Sequence, residues 1–168
     1  MSANNEEHDL AKELDLFLDS YNKNEVKQDT VNEEQTQEFL AKFERIKVEV
    51  IIPAMEHVGK YLEKKGHSYS IKDEASIYID NPSIKMEIYP RTSSDAPIQE
   101  HEFPVIAFIA EQDIKTVGIE VRDGMPGRPG LMRGHITDLD SLTREYVRTQ
   151  IVALIKINFA KRAYQTNR

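Results

Sequence analysis

Arg122, Arg128, Arg133 and His135 surround the stretch from Asp123 to His135, which holds four of the chain's seven glycines and two of its seven prolines. Glycine lets backbone N–H groups approach a ligand, a guanidinium forks onto a phosphate or carboxylate, and a helix N-terminus attracts anions. The stretch feeds a predicted helix, so the chemistry it suggests is binding of a small anion, a phosphate ligand or an acidic peptide. Against this, Asp138 and Asp140 would sit in the first helical turn and repel an anion. The spacing also has neither the Gly-Lys-Ser/Thr ending of a P-loop nor a dinucleotide fingerprint. The competing reading is a solvated connection between the last strand and the helix.

Other chemistry is less marked. The histidines (His8, His57, His67, His101 and His135) include no pair at i, i+4, so no metal site is expected, and no cofactor is implied. With no cysteine there is neither a thiolate nucleophile nor a disulfide framework. No serine stands in a Gly-x-Ser-x-Gly elbow, and carboxylate pairs such as Asp73-Glu74 carry little information in so acidic a chain. Tyr78, Tyr89, Lys72, Lys85 and Arg91 have the composition of an RNA-stacking face, but Asp80, Glu87 and Glu120 share it. The reading therefore leans away from an enzyme.

The element that must organise the fold is Phe103–Ala110. Phe103, Val105, Ala107 and Ile109 alternate with Ile106, Phe108 and Ala110, and both sets are apolar, as in a strand at the centre of a sheet. Before it, Tyr69 and Ile71, then Ala75–Ile79, then Ile84–Ile88 alternate with polar residues and predict three short strands. After it, Val117, Ile119 and Val121 face in along Thr116–Arg122. Tight links make these five strands an antiparallel meander, with Lys85, Glu87, Glu120 and Arg122 on a largely wet outer face.

Helices flank the strands. Leu10, Leu14, Phe17, Leu18 and Tyr21 form one stripe of a helix over Glu6–Tyr21, with an acidic opposite face (Glu7, Asp15, Asp19), and three outcomes are open to it: docking on its own domain, docking on a partner, or staying mobile. Residues 22–32 are polar and read as a connector. Thr30 with Glu33 then makes a capping box for a second helix, about Glu33–Lys65, in which Pro53 predicts a kink or break near Val50–Pro53. Lys47–Ile52 alternates like a strand and is the ambiguous segment. Lys64-Lys65-Gly66 is a stop signal. A third helix is predicted from about Thr137 to Tyr164, its middle apolar almost all round.

The formal charge is −7, and residues 1–44 hold 12 acidic against 4 basic side chains. That imbalance disfavours general nucleic-acid binding, which needs a basic footprint. No apolar run reaches the length of a membrane span, and Ser2–Asp9 is polar and acidic where a signal peptide is basic and then apolar, so the expectation is cytoplasmic.

The expected architecture is α+β: N-terminal helices, a five-stranded antiparallel meander, and a long C-terminal helix on one sheet face. Residues 1–32 are read as an acidic helical arm and connector, and 33–168 as a single domain. In outline this is similar to bacterial secretion chaperones, although those place a helix between their third and fourth strands, where this chain has only Pro90–Glu102. The expected function is a non-enzymatic protein-interaction, chaperone- or adaptor-like module. It is expected to be a homodimer, through Ile151, Leu154, Ile155 and Phe159 of the third helix, and to bind another protein. The alternative is an anion binder using Arg122, Arg128, Arg133 and His135.

Overall fold

No glycine or proline occurs before Pro53, and nothing interrupts the helix that begins the chain. In a computed structural model, which describes residues 3–74, 81–92, 98–124 and 130–166, α1 runs Ala3–Ile46. Residues 22–32, expected to be a connector, are helical. Their Lys, Glu and Gln residues are good helix formers, and a polar stretch without a breaker need not be a loop. The chain divides into two compact units, Met1–Glu38 and Phe39–Arg168.

The ambiguous Lys47–Ile52 is helical too. Lys47–Ile51 is a π-helical turn, followed by α2 (Ile52–Lys64), whose first turn contains Pro53. In an α-helix the Glu49 carbonyl would accept from the N–H of residue 53, which proline lacks, so the expected irregularity is this wider turn. Helix α2 stops as predicted. Gly66 takes φ +88° while the His67 N–H donates to Leu62 O and the Gly66 N–H to Glu63 O, the paired bonds of a left-handed cap.

Five strands follow: β1 (Ser68–Glu74), β2 (Ser83–Tyr89), β3 (Val105–Glu111), β4 (Thr116–Arg122) and β5 (Met132–Thr137). They pair in chain order, every neighbour antiparallel. The predicted meander is present, with a change of membership. The strand expected at Ala75–Ile79 lies outside the described residues, and the fifth strand is β5, inside the stretch read as a connection. A bulge hides it: Ile119 pairs with His135 and Glu120 with Arg133, leaving Gly134 extra and breaking the period of two.

Helix α3 (Arg144–Thr166) starts later than predicted. Thr137 ends β5, and the Asp138 carboxylate accepts from the Ser141 N–H to cap a short 3₁₀ turn, Leu139–Ser141. Thr143 is the helix cap, its hydroxyl oxygen accepting from the Tyr146 N–H at 3.1 Å.

The end of α1, α2 and α3 cover one face of the sheet. Phe43, Ile51 and Met55 meet Ile84, Met86, Ile106, Phe108 and Ile119 there, with Val147, Ile151 and Leu154 from α3, all of them buried. On the other face Val105 and Ala107 of β3 are also buried. Their cross-strand neighbours are Glu87 and Arg122, and Lys85 and Glu120, long side chains whose stems cover small apolar residues.

Candidate functional site

Among the described residues of the Gly/Arg stretch, 132–135 belong to β5, and Arg122, just before it, ends β4. Arg122 Nε donates to the Phe103 carbonyl at 3.0 Å, at the start of β3. Arg133 pairs with Glu111, at the opposite end of β3, by crossing β4 over Gly118. A Cβ at Gly118 would overlap the Glu111 carboxylate, so glycine opens the path for this pair. His135, opposite Ile119, lies on the other sheet face from Arg133. Arg128 lies outside the described residues. Among the described members of the predicted set, the three basic groups thus diverge.

The start of the stretch is anchored to α3. Buried Asn158 donates from Nδ2 to the Asp123 carbonyl at 2.9 Å and accepts from Arg162 Nε at 2.9 Å. Arg162 Nη2 in turn donates to the Glu102 carbonyl at 2.7 Å, and Lys161 Nζ stands 3.5 Å from the Asp123 carboxylate. Burial holds the Arg162 guanidinium below its ordinary range, against an opposing pull from Glu102. Gly124, at φ +74°, is where the chain turns against Asn158 and the Glu102 carbonyl.

The polar face of the sheet carries a network of charged and hydroxyl groups. Burial alone would raise the pKa of Glu87. Hydrogen bonds from the Tyr89 hydroxyl at 2.8 Å and Lys72 Nζ at 3.2 Å, with the charges of Lys72 and Lys85, instead hold it below the ordinary carboxylate range. Ser70 bonds the same tyrosine, and Lys85 pairs with Glu74 at 2.6 Å. The Tyr89 ring meets Phe103 at 89° with centroids 4.8 Å apart; Tyr78 and Asp80 of the expected stacking face lie outside the described residues. A second enclosed charge, Lys47, lies in the π-helical turn with its side chain 3% exposed. Desolvation would lower its pKa. Hydrogen bonds to Glu44 and Asp73, with their charges, outweigh that and raise it.

Of the residues predicted for an interface, Ile151 and Leu154 are 0% and 3% exposed within their own chain's core, and Ile155 and Phe159 are partly buried against it. Helix α3 is one-sided: Val147, Ile151, Leu154 and Asn158 face in, while Ala153, Ile157 and Ala160 face water. The middle of the helix reads as apolar almost all round because residue type alone does not show that Asn158 turns in and Ile157 turns out.

Among the described residues, the first unit carries a run of exposed apolar side chains on one helix. In α1, Leu14, Phe17, Leu18 and Tyr21 are 49%, 66%, 49% and 54% exposed. Their i, i+3, i+4, i+7 spacing puts them on one line of the helix. By the same period Glu13 flanks this line on one side and Asp15, expected on the opposite face, flanks it on the other; Glu25 continues the Leu14–Leu18 line, and Lys12, Lys23 and Lys27 fall on the back together with Asp19. Exposed Leu16 shares the back.

Among the described residues no helix is long and apolar enough to cross a membrane, and no three His, Asp or Glu side chains are grouped to hold a metal ion. The chain matches no protein-family model, and neither a curated protein nor a solved structure is significantly similar to it.

Proposed function

We propose that this chain is a non-enzymatic protein-interaction module, adaptor- or chaperone-like and cytoplasmic, whose docking surface is the N-terminal part of α1. The observation that carries the reading is the exposed line Leu14, Phe17, Leu18 and Tyr21. Single exposed apolar residues need no explanation, but four on consecutive turns of one helix face form the anchor pattern of helix-mediated recognition. The interlocked charges of the second unit support the same assignment, because Arg122, Arg133, Lys72 and Lys85 are each already engaged with groups of their own chain.

The test is affinity capture from the native host with the full chain and with a Phe17→Asp/Leu18→Asp variant. The reading expects a protein retained by the wild type and lost by the variant, with unchanged circular dichroism and melting temperature. Retention of the same proteins by both would overturn it.

A second reading, self-association, is favoured by a different observation: Ala153, Ile157 and Ala160 form an exposed apolar line on α3, with Ile157 50% exposed. Sedimentation would show a dimer that Ile157→Asp converts to monomer; a monomeric wild type at tens of micromolar, a concentration of about 10⁻⁵ M, would exclude it.

A further inference from the structure

We infer that the occupant of the Leu14, Phe17, Leu18 and Tyr21 line is a basic amphipathic helix of another protein, an inference that rests on the docking role just proposed. The line is about 10 Å long, two helical turns, and its i, i+3, i+4, i+7 spacing matches a facing helix with the same apolar repeat. Its borders select the charge of that helix. Glu13, Asp15 and Glu25 stand beside or along the line, while the lysines of the same stretch lie on the far side of α1. Residues 1–44 as a whole carry 12 acidic against 4 basic side chains.

A second copy of this helix would bring acidic borders against acidic borders, where like charges repel. A purely basic ligand such as a polycation would leave four large apolar side chains uncovered. A helix with an apolar stripe edged by Lys or Arg satisfies both features: its stripe covers the line, and its cations reach Glu13, Asp15 and Glu25. Lysine and arginine suit this position because their stems extend apolar contact while their charged ends stay in water.

The experiment is an amide-resonance titration of the full ¹⁵N-labelled chain with two designed helical peptides. Both carry the same Leu/Phe stripe, one edged by Lys and Arg, the other by Glu. The basic peptide is expected to shift resonances within 11–27. It should bind about tenfold tighter than the acidic one, the order expected of two or three exposed charge pairs, and the preference should fade as salt rises toward about 1 M. A Glu13→Lys/Asp15→Lys/Glu25→Lys variant should reverse the preference. Equal binding of the two peptides would overturn the inference and leave the docking reading standing. Binding of neither by a monomeric chain would overturn both. Concentration-dependent self-association abolished by Phe17→Asp would make a second copy the occupant and overturn the inference.

Discussion

The Arg144 guanidinium donates from Nε and Nη2 to the Glu49 carbonyl, at 3.2 and 2.9 Å, and this is the acceptor that Pro53 deprives of its α-helical donor. The carbonyl that a proline deprives of its donor is thus answered by the first residue of another helix, ninety-five positions after Glu49. Replacing Arg144 with Met is expected to cost about 1–2 kcal/mol in urea unfolding, the lower part of the roughly 1.5–3 kcal/mol of hydrogen bonds from a charged donor, because these bonds are exposed to water. In a Pro53→Ala background the cost should shrink, because the new N–H competes for the same carbonyl. An undiminished cost would show that Arg144 acts by packing alone.

Tyr69 of β1 lies over the backbone of Gly59 in α2, close enough that a Cβ at position 59 would overlap the ring. Gly59→Ala is therefore expected to be net destabilising by about 1–2 kcal/mol, since displacement of a packed ring exceeds the gain of up to about 1 kcal/mol in helix propensity. Burial, with the charges of Glu63 and Glu56, raises the Tyr69 pKa. Ultraviolet titration of the variant should return that ionisation toward the ordinary tyrosine value as the ring is expelled.

Lys47 is enclosed while its partners Glu44 and Asp73 are about half exposed. Removing the carboxylates (Glu44→Gln/Asp73→Asn) leaves a buried ammonium uncompensated and should cost about 2–4 kcal/mol. Lys47→Met lets both carboxylates turn to water and should cost about 1 kcal/mol or less. The raised folded-state pKa means that the contribution of Lys47 and its two carboxylates is complete below the unfolded lysine value and lost as pH rises through the folded one. Alkaline unfolding of Lys47→Met should lack that component.

Glu87 titrates in the opposite sense. Its folded-state pKa lies below the unfolded value, so its contribution is present above the unfolded value and disappears as pH falls through the folded one. Glu87→Gln is expected to be about 1–2 kcal/mol less stable than the wild type at neutral pH, from the loss of charge-assisted bonds to Tyr89 and Lys72. The difference should vanish as the wild type is acidified below the carboxylate range. A difference independent of pH would assign the effect to shape rather than charge.

Local pattern alone was enough for the elements whose physics is local. The two-sided apolar run at Phe103–Ala110 identified the central strand, Lys64-Lys65-Gly66 the end of α2, Pro53 the irregular turn, and the spacing from Leu14 to Tyr21 the helix stripe. Each follows from backbone conformation or side-chain period within a few residues, and together they specified an α+β chain with a meander sheet. The tertiary structure decided the rest, because the deciding contacts are distant in sequence. Strand β5 exists through its pairing with β4 around the Gly134 bulge, Arg133 is an ion-pair partner because Gly118 lets it reach Glu111, and Ile151 is core while Ile157 is surface because α3 packs by one face only. Residue type at Arg122 and Arg133 told of charge; only the positions of Phe103 and Glu111 told that the charge was already engaged, since a side chain's partner is chosen by what the fold brings near it.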